Sequence, residues 1–435
     1  MTASGPRRVR IVAVGDELLE GRTADTNSRR IQRALGRHAV QVDGIQVVPD
    51  TSAAIQRALD LTVPGDLVFV SGGLGSTPDD LTRDVVADWG GAALVEDPDL
   101  RKRLEDRWRR RGIRMRAGVL RQSQVPTGMD WLENPVGSAP GLVGALRDRV
   151  LVLLPGVPQE LTGLLPLAVD WLAERGDLPA ARTTLLWRTA QIAELALVRK
   201  LEDLPGRWPA LAWAWWLTDW GVDVRLAADP QVPEAAEQLA AAESVVSERL
   251  GGLVYSREMT DLAEAVQRAA IATGQTVAVA ESCTSGLIGG RLTDHDGASG
   301  FFRGGILSYA DAVKRDLLGV PADLLATHGA VSREVAEAMA VGCRDRLGTD
   351  LALAVSGISG PGGGTEAKPV GTTWVALARG SVVASRCYRF PGNRERNRLL
   401  TVAAGLDTLR RSLEAGPDGS PWSEQDSWCR PAPGA

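Results

Sequence analysis

Lysine is nearly absent from this chain. Of 49 basic residues only Lys102, Lys200, Lys314 and Lys368 are lysine, so arginine fills almost every place where charge alone is needed. A desolvated lysine can lose its proton near neutral pH and an arginine cannot. Lys314 and Lys368, which fall in the Gly-rich C-terminal region, are therefore candidates for chemistry as well as for solvated surface charge. Histidine is scarcer still. His38, His295 and His328 are too few for a His-rich metal centre or a histidine-dependent triad. The four cysteines, Cys283, Cys343, Cys387 and Cys429, contain no CxxC pair, which excludes a zinc site and a disulfide framework and fits a reducing compartment. No stretch reaches the ~18 consecutive apolar residues of a membrane span. The polar N-terminus runs straight into a strand pattern without a signal-peptide core. A cytoplasmic protein with no membrane association is expected. The formal net charge of -5 over 435 residues argues against a general nucleic-acid binder. The run Arg107-Trp108-Arg109-Arg110-Arg111 is interleaved with acids between positions 101 and 116, and reads as the solvated face of a helix.

What is present points to several domains, because 435 residues exceed one hydrophobic core. Buried-strand runs at Val9–Val14, Asp66–Ser71 and Val150–Leu154 each end in a Gly-rich turn, with helical spacing over Thr26–Leu35. They predict an α/β domain over 5–178 with its site at the C-terminal ends of the strands. Residues 180–256 read as a small α+β module, with a helix at Ile192–Leu201 and another at Pro233–Leu250. Its tryptophans between Trp208 and Trp220 are expected to fill a core or an interdomain face, because no basic residues interleave with them as a base-stacking platform would require. A second α/β pattern covers 260–415, with strands at Thr276–Ala280, Leu351–Val355 and Thr372–Leu377 and helices at Asp261–Thr273 and Arg394–Leu413. The Pro/Gly/Ser-rich tail, 416–435, is expected to be disordered.

In the C-terminal pattern, strands run into small-residue loops at Ser282–Gly286 and Ser356–Thr365, the second with three consecutive glycines. Such loops present backbone N–H groups to phosphate. Tyr309 and Lys314 stand five apart, and a lysine amine beside a serine hydroxyl is the histidine-free way to make an oxygen nucleophile. In the N-terminal pattern, GGLGSTPDD combines a phosphate cradle with carboxylates. Asp79 and Asp80, with Asp16 and Glu17, offer oxygen ligands for a divalent cation, or one of the pair caps the following helix.

Two resemblances extend these readings. The segments AESCTSGLIGGRLTD, GASGFFRGGILSYADAVKRDLLGV, HGAVSREVAEAMA and VSGISGPGGGTEAKPVGTTW, near-continuous from Val277 to Val375, resemble the CinA C-terminal domain. That family contains a nicotinamide mononucleotide deamidase. The resemblance implies hydrolysis of the nicotinamide mononucleotide carboxamide to nicotinate mononucleotide and ammonia, without a cofactor. It makes Ser282 the nucleophile and Lys314 its base, with Tyr309 in the same site. It sets Thr284, Ser285, Gly286, Ser299, Ser356, Gly357, Gly362 and Gly363 against the substrate, and Arg394 at the phosphate. The chain departs from the family pattern with Ser285 in place of glycine, Ala310-Asp311 in place of Ser-Asn, and Ser359 in place of alanine.

The segments GDELLEGRTADTNS, SGGLGSTPDDLTRD, NPVGSAPG and LPGVPQE resemble the molybdopterin-binding-like domain of full-length CinA, with Ser76 replacing the usual proline. This implies a MoaB/MogA-like three-layer α/β fold and pyrophosphate hydrolysis of ADP-ribose with a divalent cation (magnesium, manganese or cobalt) and potassium as an accessory ion. Gly72, Gly73, Gly75 and Thr77 would then hold the nucleotide, and Asp16, Glu17, Asp79 and Asp80 the metal. The middle module would be the family's KH-like domain, and a homodimer is implied. The alternative is a non-catalytic nucleotide or pterin binder acting in competence or DNA repair. Retention of Ser282, Tyr309 and Lys314 together favours the enzyme.

Overall fold

The computed structural model describes residues 8–38, 40, 42–110, 112, 117–179, 181–416, 420–422, 426–427 and 429. The chain divides into two compact units, Met1–Thr183 and Thr184–Ala435. No described helix is long and apolar enough to cross a membrane.

In the first unit a six-stranded sheet has the order Val42–Val48, Val9–Val14, Leu67–Ser71, Arg149–Leu154, Gly141–Leu146, Met129–Leu132. The first four strands are parallel and the last two antiparallel. Successive residues of one strand feed opposite cores. Val68 and Val70 pack with the helices Ser52–Asp60 and Thr82–Gly90, whereas Leu67 and Phe69 pack with Thr26–Leu35 and Pro158–Glu174. A sheet covered on both faces needs apolar residues at both parities, which is why its central strands show in the sequence as unbroken runs. The Arg-rich run does lie on a helix, Pro98–Arg110. Its face is less free than expected, because Arg107 donates to the carbonyls of Asn134 and Val136 and Arg103 lies over the Trp131 ring. Arg111 and residues 113–116 fall outside the described residues.

The second unit holds two sheets. A four-stranded one, ordered Leu211–Leu217, Val222–Ala228, Thr183–Thr189, Val254–Ser256, carries the helices Glu194–Leu201 and Ala235–Leu250. Trp208, Trp213 and Trp215 stack in series over its core, with ring centroids 6.5 and 5.8 Å apart. No basic residue interleaves with the tryptophans between Trp208 and Trp220 in the sequence, but two arginines from outside that segment meet their rings. Arg207 lies 4.8 Å over its chain neighbour Trp208, and Arg225, on the adjoining strand, lies 4.8 Å over Trp216. Ala190, Trp220 and Tyr255 of this module enter the core of the following domain, so residues 184–256 and 260–415 pack as one body.

The five-stranded sheet has the order Phe302–Leu307, Val277–Glu281, Leu351–Gly357, Thr372–Arg379, Val382–Arg389, parallel through the first three strands and antiparallel after. One face is Val and Leu, beneath the helices Leu262–Thr273 and Arg394–Ala415. The other is largely alanine (Ala278, Ala280, Ala352, Ala354), which lets the helix Arg333–Leu347 approach closely.

The helix Arg394–Ala415 is buried along most of its length and carries Asp407, Arg410 and Arg411 into the interior. Here the expected disorder of the tail needs correcting. Asp426 is buried, with a carboxylate oxygen 3.0 Å from the Arg411 guanidinium. Ser427 donates its N–H to the Gln191 carbonyl at 2.9 Å and accepts the Ala193 N–H on its hydroxyl at 2.9 Å. Two interior arginines share Asp407, Arg410 also meets Glu414 at 2.6 Å, and the tail supplies a further carboxylate to Arg411. Residues 417–419, 423–425, 428 and 430–435 fall outside the described residues.

Candidate active site

The chain enters the second α/β sheet at Val277–Glu281, adds Phe302–Leu307 on one side and then Leu351–Gly357 on the other. The crevice at the C-terminal ends of these strands is a topological switch point, the usual place for a ligand in an open α/β sheet. Ser282 is the first residue beyond Val277–Glu281, the middle one of the three parallel strands, and its N–H donates to the Val355 carbonyl at 3.1 Å. The Ser308 N–H donates to the Glu281 carbonyl at 2.8 Å, so Tyr309 begins at the same edge. Ser282 and Lys314 are both buried, while the Tyr309 ring is 65% exposed. The Lys314 ammonium nitrogen lies 3.0 Å from the Tyr309 carbonyl and 3.4 Å from Asp311. Tyr309 thus meets Lys314 through its backbone and leaves its hydroxyl toward solvent.

The turn after Ser282 is gripped from two sides. The buried carboxylate of Glu281 accepts the N–H groups of Gly286, Ile288 and Gly289 at 2.9, 3.1 and 2.8 Å. Arg398 donates to the carbonyls of Cys283 and Thr284 at 3.1 and 2.9 Å. Burial pushes the Cys283 thiol up to about 11, which removes it as a competing nucleophile. Ser285, where the family pattern has glycine, sits at φ 52°, followed by Gly286 at 93°. A left-handed serine costs about 1–2 kcal/mol, part of which glycine returns through its freer unfolded chain. Ser285→Gly is expected to stabilise the protein by up to about 1 kcal/mol in chemical denaturation. A loss of stability would show that the serine side chain holds the turn.

Beside the turn lies a cavity of about 490 Å³ lined by Ser359, Gly360, Pro361, Val370, Gly392 and the first turn of Arg394–Ala415. Asn393 caps that helix by accepting the Arg396 N–H at 2.9 Å, and Arg394 donates to the Gly360 carbonyl at 3.0 Å. A helix N-terminus with an arginine favours an anion. Gly362 and Gly363 lie exposed on the loop that follows Gly360.

Not every residue assigned from sequence comes here with a free side chain. The Ser356 hydroxyl is committed to the Ala330 carbonyl at 2.6 Å, and the Thr284 hydroxyl is buried. Gly357 stands at the end of its strand. Ser299 lies on the turn Ala298–Gly300, which precedes Phe302–Leu307. That strand runs parallel to Val277–Glu281 with Phe302 beside Val277, so Ser299 is at the opposite sheet edge from Ser282, roughly 15 Å of strand away. This corrects its placement against the substrate. Glu281 and Arg398 were missed. Each acts on backbone, and only Glu281, adjacent to Ser282, had a local cue.

In the first unit the loop after Leu67–Ser71 uses left-handed glycines, Gly72 at φ 111° and Gly73 at 67°. A Cβ on Gly72 would strike the Val14 carbonyl, and one on Gly75 the Asp80 carboxylate. Asp80 closes this loop. One oxygen accepts the Gly75 N–H at 2.8 Å, and the other accepts the Thr77 N–H at 2.8 Å and its hydroxyl at 2.5 Å. With both oxygens so engaged, Asp80 shapes the loop. Arg83 is buried below, donating to the Leu74 carbonyl at 3.2 Å, and burial draws its guanidinium down to about 10. Asp50, unmarked in the sequence, joins Asp16 through reciprocal backbone contacts of 2.9 and 3.3 Å. Its carboxyl is raised above the usual range by burial and by the charges of Asp16, Glu17 and Asp79. Thr77 holds Asp79 below that range. Among the described residues no three His, Cys, Asp or Glu side chains are grouped to hold a metal ion. The donor set therefore does not form a ready cation cage.

Residues 259–413 match the family model of the CinA C-terminal domain, and residues 10–174 that of a probable molybdopterin binding domain. A CinA-like protein of Gemmatimonas aurantiaca is 39% identical over 434 residues, covering 96% of this chain and 99% of its own. A CinA-like protein of Salinibacter ruber is 38% identical over 410 residues, covering 93% of this chain and 99% of its own. A solved competence-damaged protein (CinA) superfamily structure from Klebsiella pneumoniae is 34% identical, covers 35% of this chain and 96% of its own, and superposes with a TM-score of 0.35.

Proposed function

We propose, for a chain that on these matches belongs to the CinA family, that its C-terminal domain hydrolyses the carboxamide of nicotinamide mononucleotide. The observation that supports this most is the burial of both Ser282, just beyond the strand Val277–Glu281, and Lys314, on the helix Asp311–Leu318 that follows the neighbouring strand Phe302–Leu307. Arg394 and the helix N-terminus take the 5′-phosphate. The Ser282 hydroxyl attacks the carboxamide carbon while the Lys314 amine accepts its proton. Collapse of the tetrahedral intermediate passes that proton to the leaving nitrogen and releases ammonia. Water then hydrolyses the ester on Ser282, giving nicotinate mononucleotide and the free hydroxyl.

Purified protein is expected to release one ammonia per nicotinamide mononucleotide consumed. Ser282→Ala should lower that rate by about 10⁴-fold or more at unchanged Tm. Binding of the nucleotide with no ammonia released would favour the non-catalytic reading instead.

For the N-terminal domain we infer nucleotide phosphate binding on the Gly72–Thr77 loop, with ADP-ribose hydrolysis as the activity to test. Magnesium, manganese or cobalt would have to arrive with the substrate phosphates, since magnesium commonly binds through one or two carboxylates plus phosphate. Asp80→Ala opens the loop and is expected to cut AMP formation from ADP-ribose at least tenfold, by raising KM. An unchanged KM would remove the loop from the site.

A further inference from the structure

Arg398 stands one helical turn after Arg394 and so shares its face of the helix Arg394–Ala415. Arg394 serves the cavity. Arg398 instead reaches back across the sequence to the nucleophile turn, where its Nε and one terminal nitrogen donate to the carbonyls of Cys283 and Thr284. Two donors fixed in one plane suit two consecutive carbonyls, which a single ammonium cannot hold in the same way.

This contact has a consequence for the opposite side of the turn. In a trans peptide the C=O and the next N–H point in opposite directions. With the Cys283 and Thr284 carbonyls drawn to Arg398, the N–H groups of Thr284 and Ser285 are turned the other way. Beyond Ser285 the turn is committed, as is the Ser282 N–H before it, while among the described residues the Cys283 N–H meets no backbone acceptor. Glu281 takes the N–H groups of Gly286, Ile288 and Gly289, the Thr284 carbonyl takes that of Leu287, and the Val355 carbonyl takes that of Ser282. Among the described residues no acceptor faces the N–H groups of Thr284 and Ser285. Successive N–H groups leading into the left-handed Ser285 form the kind of concavity that binds an anion.

We propose that Arg398 is a positioning residue that builds the oxyanion hole, holding two carbonyls so that the Thr284 and Ser285 N–H groups meet the carboxamide oxygen as Ser282 adds to its carbon. It rests on the reading of Ser282 as the nucleophile. Glu281 grips the turn from the carboxylate side and Arg398 from the guanidinium side, so the hole is set before substrate arrives. Arg398 touches no substrate atom in this account, and its loss should appear in kcat and not in KM.

The test compares wild type, Ser282→Ala, Arg398→Gln and Arg398→Lys of the full chain in ammonia release from nicotinamide mononucleotide, with Tm measured on each. Expected is a fall in kcat of about 10²–10³-fold for Arg398→Gln, with KM within about threefold. Arg398→Lys should be intermediate, holding one carbonyl, and its kcat keeps the proposal open to refutation should the glutamine variant fail to fold. Added guanidinium should restore part of the lost kcat in Arg398→Gln at constant KM. A raised KM with kcat retained would overturn the proposal and make Arg398 a substrate ligand. Wild-type values for both constants would also overturn it, leaving the Ser282 reading intact. An inactive wild type, or an active Ser282→Ala, would overturn that reading and this proposal together.

Discussion

Replacing Lys314 by methionine is expected to lower ammonia release from nicotinamide mononucleotide by about 10⁴-fold, with little change in stability. Lys314 is 1% exposed, so its stem is packed along its length, and methionine preserves that packing while removing the amine. The groups left behind are the Tyr309 carbonyl and the Asp311 carboxylate. Both residues lie near the surface, where water replaces the lost donor at small cost. Activity and Tm are therefore expected to separate. Lys314→Arg supplies the complementary check, because it keeps charge but cannot accept the Ser282 proton at neutral pH. Both variants should be inactive. If either keeps more than about a tenth of wild-type kcat, Lys314 is a structural cation and another group takes the proton.

The largest expected loss of stability comes from Asp407→Asn. One Asp407 oxygen lies 2.7 Å from Arg410 and the other 2.7 Å from Arg411, and all three residues are buried. Asp407→Asn leaves Arg410 with Glu414 and Arg411 with Asp426 and takes away the carboxylate they share, and removing one partner of a buried charge cluster costs about 3–5 kcal/mol. In a body of this size that is a fall in Tm of roughly 10 °C. The cost should belong to the broken ion pairs and not to the lost side chain. Asp407→Leu with Arg411→Met in one molecule is therefore expected to recover part of it, since apolar replacement of a whole buried ion pair is often neutral. Asp426 in the tail is the other carboxylate on Arg411, at 3.0 Å. Burial raises its carboxyl above the usual range against the opposing pull of Arg411. A chain ending at Gly416 should accordingly lose stability as well, which a disordered tail would not cause. Equal Tm for the full and shortened chains would show that the tail docks without holding anything.

Much of this was legible because parallel sheets write themselves into sequence. Val9–Val14 and the apolar runs ending at Ser71 and Leu154 had to be apolar on both faces, and each had to end in small residues where a ligand approaches. The scarcity of lysine singled out Lys314 before any contact was known, and the structure finds it interior. Residue type and spacing marked the two α/β patterns and the Ser282 loop, the family resemblance marked Ser285 as standing where glycine is usual, and the structure sets it at φ 52°.

The tertiary structure alone decided what those groups face. That Asp80 also closes its own loop, through Gly75 and Thr77, shows only once the chain is folded. Ser299 reads as a substrate contact until the direction of its strand carries it to the other edge. Arg398 lies 115 residues from the Cys283 carbonyl it holds, and Asp426 reads as part of a solvated tail until it meets Arg411. A hydrogen bond depends on direction at a few ångströms. Sequence specifies which donors and acceptors exist, and only the packing of distant segments specifies which pairs meet.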